Sequence, residues 1–158
     1  MNNNDILRRL RYALDISDIK MCQIFELGNE VIAVEKIKDI LKKEHEEEYF
    51  SVSNESLKKF LDGFIIFKRG PLDKKSSEEE VFHPKKNSNN NNIILRKLRI
   101  ALNFRSEDMI KVFKLGEVEI SDSELSALFR KPTHKNYREC GDKYIRTFLK
   151  GLTVLYRN

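Results

Sequence analysis

The chain has 158 residues, 40% hydrophobic and 35% charged, with a formal net charge of +5. That balance fits a folded globular protein rather than a disordered polyelectrolyte. The longest apolar runs, such as Phe64-Ile65-Ile66-Phe67, are far too short to span a bilayer.

The start, Met1-Asn2-Asn3-Asn4-Asp5, lacks the basic and apolar regions of a signal peptide, so a cytoplasmic protein is expected. Ile6, Leu7, Leu10, Ala13 and Leu14 then form one apolar stripe, with Arg8, Arg9 and Arg11 on the other side, which predicts a first helix. Asp18 suits the cap of a second, with Met21, Ile24 and Phe25 inward and Gly28 as the stop. A third carries Ile37, Ile40 and Leu41, with Ala33 a weak start. A loop of about ten residues follows, acidic from Glu44 to Glu48. Asn54 is expected to cap a fourth helix burying Leu57, Phe60, Leu61, Phe64 and Phe67. Residues 71–91 have the composition of a flexible linker, in which Phe82 alone would touch a core.

The second half repeats the first. Asn92-Ile93-Ile94-Leu95-Arg96-Lys97-Leu98-Arg99-Ile100-Ala101-Leu102 returns the opening at an offset of 88, without a gap to the end. About 19 of the 67 aligned positions are identical, among them Met21 and Met109, Phe25 and Phe113, Gly63 and Gly151, Arg69 and Arg157. Ser106 is the expected cap of the second helix of this copy, Ser121-Asp122-Ser123-Glu124 fits a capping box, and Asp142 caps the last helix. Leu125, Leu128 and Phe129, then Ile145, Phe148, Leu149, Leu152 and Leu155, repeat the buried positions. A glycine inside a helix costs about 1 kcal/mol relative to alanine. Its presence at both 63 and 151 therefore predicts a close helix–helix approach. The expectation is an all-α protein of two tandem four-helix repeats, residues 1–70 and 92–158, packed with pseudo-twofold symmetry.

Several of these stretches are familiar. Asn4 to Leu14, Phe60-Leu61-Asp62-Gly63-Phe64-Ile65, and above all Pro132-Thr133-His134-Lys135-Asn136-Tyr137-Arg138-Glu139-Cys140-Gly141-Asp142 resemble the YehS-like family. These are bacterial proteins with two tandem copies of a domain of unknown function. The resemblance implies a fold and a cytoplasmic setting, and no chemistry.

Charge separates the copies. Residues 1–70 carry 12 basic and 13 acidic side chains, and residues 92–158 carry 14 and 8. The loop that is acidic in the first copy is basic in the second, from Arg130 and Lys131 through His134 and Lys135 to Arg138. Between residues 44–53 and 132–141 only Tyr49 and Tyr137 match. Such opposite loops favour protein–protein contact, either self-association or a separate partner, and could equally hold the two copies together within one chain. The alternative is RNA or DNA binding. Arg8, Arg11, Arg96, Arg99, Arg130, Lys135 and Arg138 are the candidates for an anionic partner, and Tyr137 is available to stack on a base. The competing reading pairs Arg8 and Arg11 with Asp5, Asp15 or acids of the other copy. A third possibility is a thiol enzyme using Cys140 and His134. No oxyanion-forming glycine motif accompanies that pair. No phosphate loop or zinc spacing occurs, so no catalytic residue, metal or cofactor is assigned. The expected function is that of a non-enzymatic binding or adaptor module.

Overall fold

The computed structural model describes residues 1–70 and 90–157. Residues 71–89 of the expected linker, Phe82 among them, lie outside the described residues; Asn91, expected as the linker's end, is instead the first residue of the fifth helix. Within them the chain is all-α, with no strand. The first copy forms α1 (Asn3–Leu14), α2 (Asp18–Leu27), α3 (Val34–Ile40) and α4 (Asn54–Arg69). The second forms α5 (Asn91–Leu102), α6 (Ser106–Leu115), α7 (Asp122–Phe129) and α8 (Asp142–Arg157).

Three caps fall one residue before the expected one. Ser17, not Asp18, starts α2, its side chain accepting the Lys20 amide at 3.2 Å. Ser53, not Asn54, starts α4 by accepting the Ser56 amide at 3.1 Å. Arg105, not Ser106, starts α6, where the Asp108 carboxylate receives the Arg105 amide at 2.8 Å. In each case the residue after the true cap, Asp18, Asn54 or Ser106, is itself of a capping type and so reads like the cap. Asp142 likewise is the first residue of α8. The capping box at Ser121 is present, and Ala33 makes no side-chain cap, both as expected. Phe67 departs from its stripe: at 37% exposure it lies on the surface near the end of α4.

Within each copy the tightest packing is between the second and fourth helices, α2 on α4 and α6 on α8. The glycines explain the closeness. A Cβ on Gly63 would stand 1.9 Å from the Ile24 carbonyl oxygen, and one on Gly151 1.9 Å from that of Val112. Matching ring pairs fill these cores, Phe25 with Phe60 at 4.9 Å and Phe113 with Phe148 at 5.6 Å.

The first helix of each copy goes elsewhere. α1 packs on α8 and α5 packs on α4, so each copy seats the other's leading helix. Exchanging the copies maps one contact onto the other, which is the pattern a pseudo-twofold axis requires. Polar contacts repeat the exchange. Arg157 Nε donates to the Tyr12 carbonyl at 2.7 Å, and its equivalent Arg69 donates through Nη1 to the Ile100 carbonyl at 3.2 Å. Lys97 of α5 pairs with Asp62 of α4. Buried residues of both copies form one continuous hydrophobic cluster. That sharing fits the size of each copy, about 67 residues, which is near the lower limit for a core that is stable alone.

Candidate functional site

The four arginines repeated between the copies hold the fold. Arg8 pairs with Asp5 and reaches the Lys42 carbonyl, while Arg96 donates to the Phe129 carbonyl at 2.9 Å. Arg96 therefore caps the last carbonyl of α7, while Arg8 binds the chain two residues past the end of α3. Arg11 pairs with Asp18 at 3.2 Å. Arg99 donates to the Phe104 carbonyl at 3.2 Å and to Ser106 Oγ at 3.1 Å, with its guanidinium 4.8 Å from the centre of the Phe129 ring. Expected as part of one anion-binding face, these four are instead committed to contacts within the chain. Arg9 is exposed, and Lys97 is engaged by Asp62.

The loops between the third and fourth helices are the other candidate surface, and they share one skeleton. In the first, the amides of Glu46, Tyr49 and Phe50 donate to the carbonyls of Lys43, Glu46 and Asp39. In the second, those of His134, Tyr137 and Arg138 donate to Lys131, His134 and Ala127. Every donor and acceptor is shifted by the same 88 positions. The tyrosine matched between the copies is half-buried in both. Burial, then Glu139, pushes the Tyr137 hydroxyl above its ordinary value.

A pair of asparagines anchors each loop. Asn4 is 1% exposed. Its amide nitrogen donates to the carbonyls of Ile40 (2.9 Å) and Phe50 (2.7 Å), and its oxygen accepts the Val52 amide at 2.9 Å. Asn92 does the same to Leu128, Arg138 and Cys140, each at 2.9 Å. Beside them Asn3 Nδ2 donates to the Val52 carbonyl and Asn54, and Asn91 Nδ2 to the Cys140 carbonyl and Asp142. The bond from Asn91 is the main reason the Asp142 carboxyl is held below its ordinary value. These clamps were missed in the sequence. The available signal was Asn4 recurring as Asn92 three residues before a leucine of the buried stripe, a polar residue in helical phase with the core.

Cys140 fills the corner that Val52 fills in the first copy. Its thiol is fully buried, and burial, then Asp142, pushes it up to about 12. A thiol nucleophile needs the opposite environment, exposed and electropositive. His134 is exposed, and its Nδ1 accepts the Asn136 amide at 3.0 Å. The structure thus assigns Cys140 to packing and His134 to the loop surface.

What distinguishes the loops is charge. Glu44, Glu46, Glu47 and Glu48 are exposed on one, and Lys131, His134, Lys135 and Arg138 on the other, with Arg130 half-buried. Arg138 lies 3.9 Å from Glu124, a loose exposed pair. Among the described residues no ion pair joins the acidic loop to the basic one. Among them, too, no three His, Cys, Asp or Glu side chains gather as a metal site would need, and no helix is long and apolar enough to cross a membrane.

A domain family described as a protein of unknown function (DUF1456) matches the chain twice, over residues 3–70 and 91–158. An uncharacterised protein of Escherichia coli (strain K12), YehS, is 39% identical over 154 residues, covering 98% of this chain and 96% of that protein. No solved structure matches.

Proposed function

We propose that this chain, which belongs to the DUF1456 family of tandem-domain proteins, is a non-enzymatic binding or adaptor module that works through protein–protein contacts in the cytoplasm. One observation carries the reading. The same loop skeleton is presented twice with opposite charge, and the two charges do not neutralise each other within the chain. Opposite patches on one molecule steer and orient a partner, or a second copy, more than they supply affinity. The two cysteines, one buried and one half-buried, are not joined to each other as a disulfide, which agrees with a reducing compartment.

The test reverses the loops one at a time, as Lys135→Glu with Arg138→Glu, and as Glu46→Lys with Glu47→Lys. Association would be followed by light scattering and by recovery of partners on the tagged protein. The expected result is an association that weakens with added salt and is lost on reversal of one loop while the fold persists. A protein that stays monomeric and recovers the same partners after both reversals overturns the proposal. Nucleic-acid binding keeps one supporting observation: among the described residues Arg130, Lys131 and Lys135 make no ion pair. Salt-dependent retention of RNA or DNA that disappears with Lys135→Glu and Arg138→Glu would replace the protein-partner reading with that one.

A further inference from the structure

The copies differ at one more place, beneath the acidic loop. The first copy has a cavity of about 370 Å³ whose lining includes Phe25, Glu30, Val31, Lys36, Phe50 and Ser56. Phe25 is fully buried there, whereas Val31 and Phe50 are 90% and 44% exposed, so the cavity runs from the core to the surface. At its mouth the Lys36 ammonium sits 4.0 Å from the centre of the Phe50 ring.

The second copy shows what such a space accepts. Where the first has Ser56, the second has Tyr144, whose ring stands edge-on to Phe113 at 6.1 Å, with the Arg138 guanidinium 5.9 Å from its centre. Phe113 and Arg138 are the counterparts of Phe25 and Phe50. Replacing tyrosine by serine removes a ring from this place. The first copy also has Glu30 where the second has Val118. Ser56 Oγ donates to Glu30 Oε1 at 2.7 Å, while Glu30 Oε2 is buried and accepts no hydrogen bond. A buried acceptor without a donor is costly, and native structures seldom leave one without a reason.

We propose that this cavity binds a small aromatic molecule bearing an amine, its ring taking the place that Tyr144 fills in the second copy and its amine pairing with the Glu30 carboxylate, whose side chain turns its unpartnered oxygen toward the ligand. The volume is at the lower end for ligand pockets, which suits a single ring with a short substituent. A cationic donor on a carboxylate makes the stronger, charge-assisted bond. This site is separate from the loop charges and stands whether or not they bind a partner.

The experiment is a nuclear magnetic resonance titration of the full chain with phenethylamine at millimolar concentration, against phenylacetate, the same ring with a carboxylate in place of the amine. Saturable shifts at the amides of Phe25, Phe50 and Ser56 are expected for phenethylamine, with phenylacetate at least about tenfold weaker. Ser56→Tyr should fill the cavity from within and abolish binding. Glu30→Gln leaves the space but not the charge, and should weaken binding about tenfold. No saturable shift at these amides, equal binding of phenylacetate, or unaltered binding by Glu30→Gln would each overturn the proposal.

Discussion

Asn92 satisfies three backbone groups with one side chain, and nothing apolar of similar size replaces it. Truncation leaves the Leu128 and Arg138 carbonyls and the Cys140 amide without partners. Asn92→Ala is expected to cost about 2–4 kcal/mol in urea unfolding, the size typical of a broken buried network, and Asn4→Ala a similar amount. Cys140 gives the contrasting case. Because Val52 fills the matching corner, Cys140→Val should change stability by less than about 1 kcal/mol and leave any cellular phenotype intact. The thiol's shift also has a sign. Its folded value is raised from 9.0 to about 12, so between those values the unfolded chain has lost a proton that the folded chain keeps. Stability contributed below pH 9.0 is therefore lost as pH rises through that window. Unfolding curves of the wild type and Cys140→Val, close at neutral pH, should diverge above pH 9.0 as the wild type loses this contribution and the variant does not, and native Cys140 should react with thiol reagents only after unfolding. Neither residue's role was plain in the sequence. The asparagine was hidden because its partners are carbonyls 36 and 46 positions away, and the cysteine because a buried thiol and a reactive one are spelled alike.

At the level of helices, propensity and packing make opposite forecasts for the repeated glycines. Propensity alone says that Gly63→Ala and Gly151→Ala stabilise by about 1 kcal/mol. The contacts say otherwise, since each new methyl would meet a backbone carbonyl oxygen at 1.9 Å. Destabilisation of about 3 kcal/mol is expected for each, read as a lower midpoint in thermal or urea unfolding, with loss of tightness between α2 and α4 or α6 and α8. This close approach was legible because the same unfavourable residue appeared twice at one register. Helix identity was legible for a similar reason: Ile6, Leu7 and Leu10 against Ile94, Leu95 and Leu98 repeat one period of burial. Cap positions were less so. A serine followed by an aspartate, as at Ser17 and Asp18, offers two side chains suited to the same helix start, and only geometry chooses between them.

Across the whole molecule, the apolar stripes announced that α1 and α5 bury a face but not against what. Periodicity names the face and is silent on the neighbour, and α1 turned to α8 rather than to its own copy. The same blindness affected the arginines. Repetition of Arg8 and Arg11 as Arg96 and Arg99 left two readings open, an anionic partner or bonds within the chain, and each of the four makes a bond within its own copy, Arg8 to the Asp5 that the second reading named. The exchange of leading helices makes a direct prediction. A fragment of residues 1–70 lacks α8, so its α1 has no seat except the α4 of a second fragment. It should sediment as a dimer, and adding a fragment of residues 90–158 should yield the mixed pair; a folded monomer at low concentration would rule the exchange out as a requirement. Reciprocal seating of this kind is the geometry left when two identical subunits, each clasping the other, are joined end to end into one polypeptide. Identical subunits must show the same face on both sides, because any change in one is a change in both. Covalent fusion lifts that constraint, leaving the clasp matched while one side goes acidic and its twin goes basic.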